Sequence, residues 1–132
     1  MALDFGKVRT GIAITDELRL IASGLTTVET GKLFSFMEKF FKEESVDCIV
    51  IGEPKQMDGA YSQSEALIQP FIQKLKSTFP TILVERQDER FTSKMAVDSM
   101  IVGGLKKKKR QDKAMVDKIS ATLILQAYLD RI

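Results

Sequence analysis

Asp4 closes the apolar pair Ala2-Leu3 and opens the phrase Asp4-Phe5-Gly6-Lys7-Val8-Arg9-Thr10-Gly11-Ile12-Ala13-Ile14. An acid at the end of a first strand, followed by glycines that keep the turn open and then by a second apolar strand, exposes a carboxylate to a phosphate or a cation. Asp88-Glu89-Arg90 follows the strand-like run Ile82-Leu83-Val84 in the same way, and Asp117 lies on an otherwise apolar helix near the end of the chain. Three acids on three separate elements suggest one site. The chain contains no histidine and a single cysteine, Cys48. Ser-His-Asp and Cys-His arrangements are therefore excluded, as are the usual His/Cys zinc sites. An enzyme built from this chain is left with carboxylate chemistry, with or without a hard, oxygen-seeking cation such as Mg²⁺ or Mn²⁺.

Those acids need a sheet to converge on, and the apolar runs supply one. Residues 1–5, 11–15 and 21–28 are short apolar segments separated by the turn-prone pairs Gly6-Lys7 and Asp16-Glu17, as in a three-strand meander. Thr30 is placed to cap a helix in which Leu33, Phe36, Met37, Phe40 and Phe41 recur at helical spacing, up to about residue 44. Residues 48–51 form an uninterrupted apolar strand, with Cys48 packed as an ordinary small core side chain. Gly52-Glu53-Pro54 ends it, and Met57-Asp58-Gly59 turns into a helix bearing Leu67, Ile68, Phe71, Ile72 and Leu75. Pro70 either starts the regular part of that helix or kinks it, because proline removes a donor and crowds the preceding turn. A strand over residues 81–87, a short helix over 92–101 and a last helix over 113–129 complete the order βββαβαβαα. In the last helix, capped by Asp112, Asp117 aligns with Ala121, Ile124, Leu125 and Tyr128. A carboxylate at the edge of a buried face needs a partner or a metal, so Asp117 is either salt-bridged or functional.

The net charge of +2 hides a local excess, because residues 106–113 carry six basic side chains against Asp112 alone. That stretch holds +5 and leaves −3 for the remainder. Concentrated Lys and Arg suit a polyanion such as nucleic acid, and equally form solvated loops. The 132 residues are the size of one domain, without a linker or internal repeat. No apolar stretch approaches the ~20 residues needed to cross a bilayer, and no leader pattern opens the chain, so a soluble, cytoplasmic protein with no membrane association is expected.

Four phrases in order, spread over nearly the whole chain, resemble the YqgF/RuvX family, whose members are assigned as pre-16S rRNA nucleases or Holliday junction resolvases within the RNase H-like superfamily. They are Asp4-Phe5-Gly6 with Arg9 and Gly11, Gly52-Glu53-Pro54 with Met57-Asp58-Gly59, Asp88-Glu89-Arg90-Phe91-Thr92-Ser93, and Val116-Asp117-Lys118-Ile119-Ser120-Ala121. The resemblance implies one α/β, RNase H-like nuclease domain over residues 1–132, with a five-stranded mixed sheet in the order 3-2-1-4-5 and helices on both faces. It implies that Asp4, Glu89 and Asp117 meet at one edge of the central strands as the catalytic set. Glu53 departs from the family pattern, where an apolar residue is commoner.

Under that resemblance the three acids would hold Mg²⁺ or Mn²⁺ for phosphodiester hydrolysis, with Asp4 as the shared ligand. Lys7, Arg9, Lys55 and Arg90 lie in the same loops as candidates for phosphate binding, since arginine meets phosphate in bidentate fashion. Lys106, Lys107, Lys108, Lys109 and Arg110 become a candidate substrate tether. Each acid also has a purely structural reading. Asp4 would cap the turn at Gly6, Glu89 would pair with Arg86 or Arg90, and Asp117 would sit favourably near a helix N-terminus. The leading substrate is an RNA precursor. Branched DNA is the alternative, and because a junction resolvase needs a two-fold dimer and no dimer element is evident, a monomer or homodimer acting on RNA is favoured. Two other classes compete: a relative of the actin-like ATPases and sugar kinases, which share the opening acid-and-glycine turn, and a non-catalytic nucleic-acid-binding module.

Overall fold

The computed structural model describes residues 1–55, 63–89 and 113–132. Five strands form a mixed sheet: β1 (Ala2–Phe5), β2 (Arg9–Thr15), β3 (Ala22–Glu29), β4 (Cys48–Glu53) and β5 (Leu83–Asp88). Their order across the sheet is β3-β2-β1-β4-β5, as expected for an RNase H-like α/β fold. The first three strands pair antiparallel, while β1–β4 and β4–β5 pair parallel. Parallel neighbours need crossover connections, and helices α1 (Leu33–Glu43) and α2 (Glu65–Thr78) lie in those connections. The last helix, α3 (Lys113–Arg131), packs across β1, β2 and β3.

Side-chain alternation along the strands splits the core in two. Leu3, Ile12, Ile49 and Ile51 face one way and pack with Leu33 and Met37 of α1 and with Ile68, Phe71, Ile72 and Leu75 of α2. Ala2, Ala13 and Val50 face the other way and meet Ala121, Ile124 and Leu125 of α3. Helices therefore cover both faces. Phe5 and Phe34 sit against Phe71 with ring centroids 4.5 and 5.4 Å away, closing the α1/α2 side with aromatic contacts. The residues facing α3 are small, so that helix lies close to the sheet.

Two local expectations change. Thr30 does not cap a helix: Thr30–Lys32 is a short 3-10 turn, α1 begins at Leu33, and neither has a side-chain cap. The Thr30 hydroxyl instead donates to the Gly6 carbonyl at 2.6 Å, so the Thr10 hydroxyl, 2.9 Å away, must be the donor to Thr30 Oγ1. The Thr30 amide also donates to the Val8 carbonyl at 2.9 Å. Three bonds thus pin the turn that follows Asp4. Pro70 lies inside α2, which starts five residues earlier at Glu65. The carbonyl of Ala66 loses its usual partner there, but Ala66 and Pro70 are exposed and water can take its place. Leu67, expected on the apolar face of this helix, faces solvent and is not part of the core.

Met57, Asp58, Gly59, Arg90, the 92–101 helix, the Lys106–Arg110 run and Asp112 lie outside the described residues.

Candidate active site

Asp4 alternates with Leu3 and Phe5, which pack on the α1/α2 side, so it faces α3. Its neighbour on β2 is Gly11, and the parallel register Leu3↔Ile51 brings it level with Gly52 on β4. The acid thus stands between two glycines, and both are needed for space. A Cβ added to Gly11 would lie 2.0 Å from the Asp117 carbonyl oxygen, because the first turns of α3 rest directly on that strand. A Cβ added to Gly52 would lie 2.5 Å from Glu89 Oε2 and 2.8 Å from Ile124 Cδ1.

Glu89 follows β5 directly, and its amide donates to the Glu53 carbonyl at 3.2 Å, which extends the ladder to this residue. Its side chain crosses Gly52 and hydrogen-bonds with Asp4. Two carboxyl groups form such a bond only when one carries a proton. Burial pushes Asp4 up to about 6, a rise that the bond from Glu89 opposes and the nearby Asp117 charge reinforces. Burial, then the Asp4 charge and the bond to Asp4, push Glu89 up to about 9. At neutral pH the pair therefore shares one proton, which bridges the two carboxyl groups.

Asp117 is on α3, and its Oδ2 accepts a hydrogen bond from Arg9 Nε at 2.9 Å. The structure thus brings Asp4 and Glu89 into direct contact and places Asp117 close enough for its charge to act on Asp4. Among the described residues, no group of three or more His, Cys, Asp or Glu side chains is gathered closely enough to hold a metal ion. The donor set nevertheless suits a hard cation, since two carboxyl groups sharing one proton would offer four oxygens once that proton is lost.

Among the candidate phosphate contacts, Lys7 is exposed on the turn after Asp4. Arg9 is engaged by Asp117. Lys55 Nζ pairs with Glu53 Oε1 at 3.2 Å, which accounts for an acid at position 53. Arg86 does not pair with Glu89. Its guanidinium bonds to both carboxylate oxygens of Glu65 on α2, at 2.6 and 3.0 Å, and donates to the carbonyls of Ile51 and Gly52. That clasp fixes the end of β4 from the opposite face of the sheet, and no local sequence signal announces it.

A family model described as RuvX, Holliday junction resolvase, matches residues 1–131. The chain belongs to the RuvX family. It is 61% identical over 129 residues to a protein of Christiangramia forsetii, covering 98% of this chain and 96% of that one. It is 56% identical over 131 residues to one of Flavobacterium psychrophilum, with 99% and 96% covered, and 52% identical over 130 residues to one of Bacteroides fragilis, with 98% and 94% covered. All three are named "Putative pre-16S rRNA nuclease". These names are those of nucleases, as the four quoted motifs implied. Two further features of the RuvX chain were not read from its sequence. The buried Ser120 Oγ, one helical turn beyond Asp117, and the buried Gln87 Oε1, in register with Gly52, have no hydrogen-bond partner among the described residues.

Proposed function

We propose that this protein is a divalent-cation-dependent endonuclease that hydrolyses phosphodiester bonds, acting on the ends of the 16S rRNA precursor. The observation that carries this reading is the Asp4–Glu89 carboxyl pair, held over Gly52 with one proton between its members and within range of the Asp117 charge. Asp4, Glu89 and Asp117 would hold Mg²⁺ or Mn²⁺, which when bound lowers the pKa of an attacking water and offsets charge on the leaving oxygen. Asp4 is fixed between two flanking strands, Glu89 would give up the shared proton to free both carboxylates for the ion, and Asp117 would join from the helix. Water oxygen then bonds to phosphorus, the P–O bond to the leaving group breaks, and the water proton ends on the departing oxygen or on solvent.

The rRNA substrate rests on the relatives' names, and the family description favours the second reading, cleavage of four-way DNA junctions. An rRNA substrate would place the protein in the cytoplasm. No described helix is long and apolar enough to cross a membrane. Incubation with an RNA spanning a 16S precursor end and with a synthetic DNA junction, in Mg²⁺, Mn²⁺ or EDTA, separates the readings. RNA cleavage that needs the cation and disappears in Asp4→Asn supports rRNA processing. Preferential, paired incision of the junction supports the alternative, and cleavage of neither by the folded protein refutes both.

A further inference from the structure

Arg9 begins β2 on the same side of the strand as Gly11, and so on the same face of the sheet as Asp4. Its Nε lies 2.9 Å from Asp117 Oδ2, with side-chain exposures of 37% and 24%, so the pair is partly open to solvent. Its cross-strand neighbour Glu29 is near Lys32, at 3.7 Å, and Arg9 leans on α3. While this pair stands, Asp117 is turned to a cation of the protein's own, consistent with the lack of a three-acid cluster among the described residues.

We propose that Arg9 is a positioning residue that changes partners, holding Asp117 in the cation-free site and passing to a phosphate of the nucleic acid once Asp117 takes a divalent cation. The inference rests on the nuclease reading of the three acids. A carboxylate that serves a divalent ion attracts a guanidinium less, and the two positive groups repel at such range. Arginine has five donors in a planar fork, of which Asp117 engages Nε, and phosphate is its best-matched partner. The exchange makes cation and substrate binding cooperative: the guanidinium becomes available only when the cation is in place.

Calorimetric titration of Mn²⁺ into the wild type, Arg9→Gln, Lys7→Gln and Asp4→Asn tests the exchange without relying on turnover. A partly exposed ion pair that competes with the cation lowers its affinity about fivefold, so Arg9→Gln binds Mn²⁺ about fivefold more tightly than the wild type. Lys7→Gln removes the same charge two residues earlier without breaking the pair, and tightens binding by less than about twofold. In Ca²⁺, Arg9→Gln lowers the log–log salt slope of single-stranded RNA binding by about 0.7, one phosphate contact, and in EDTA leaves it unchanged. Equal or weaker Mn²⁺ binding by Arg9→Gln overturns the proposal and makes Arg9 a fixed strut for Asp117. Equal tightening by Lys7→Gln overturns it in favour of a general charge effect. Wild type that binds no Mn²⁺, or binds it as well as Asp4→Asn does, overturns the nuclease reading and the exchange together.

Discussion

Replacing Glu89 by Gln removes the proton that the acid pair stores while keeping an N–H donor for Asp4. Glu89 rises from its ordinary 4.5 to about 9, through burial and then through Asp4. Between those two pH values the folded state binds more protons than the unfolded one, so stability is complete below the unfolded pKa and falls as pH rises through the folded pKa. At about 1.4 kcal/mol per pH unit the ceiling is about 6 kcal/mol. Glu89 is only half-buried, and solvent relaxation brings the expected loss to about 2–3 kcal/mol. Asp4 adds a smaller fall in the same direction between 3.8 and about 6. Urea unfolding in EDTA at a series of pH values between about 5 and 9 measures this directly, provided the slope m stays constant. The wild type loses about 2–3 kcal/mol across the range, and Glu89→Gln stays nearly flat and overtakes it at the alkaline end. Parallel curves for the two proteins would refute the shared-proton account of the site.

Arg86→Met leaves Glu65 ionised and mostly buried without its main partner, and should cost about 3–5 kcal/mol by urea unfolding, part of it regained in the Glu65→Gln double variant. Gly52→Ala puts a methyl 2.5 Å from Glu89 Oε2, so nuclease activity should fall at least about tenfold while unfolding free energy changes by only about 1–3 kcal/mol. Thr30→Val leaves the Gly6 carbonyl without its 2.6 Å donor and the Thr10 hydroxyl without its acceptor, for an expected loss of about 1–3 kcal/mol. Amide exchange at the turn after Asp4 should quicken in the same variant.

What could be read from the sequence follows from the range of the interactions involved. The apolar runs defined the strands and their buried positions, because alternation and helical spacing are local patterns with a direct packing meaning. Asp4 stood out for the same reason, as an acid ending such a run. Residues whose role depends on distant partners were harder to place. Thr30 has the composition of a helix cap, yet its hydroxyl is taken by Gly6 and Thr10, 24 and 20 positions away. Arg9 reads as a phosphate ligand from its loop, yet its partner Asp117 is 108 positions distant. Gly11 and Gly52 read as turn glycines, whereas both serve close approach on either side of Asp4. Asp117 reads as salt-bridged or functional, and the structure shows its salt bridge to Arg9, a pairing that is compatible with a functional role.

The central claim, that these acids make a cation-dependent nuclease, is tested most directly by cleavage of a 16S precursor RNA with Mn²⁺ or EDTA, comparing wild type with Asp4→Asn, Glu89→Gln and Asp117→Asn, each shown to be folded. The account predicts cutting only by the wild type with Mn²⁺, with each variant reduced at least about a hundredfold. Cutting in EDTA, or undiminished cutting by Asp4→Asn, would contradict it.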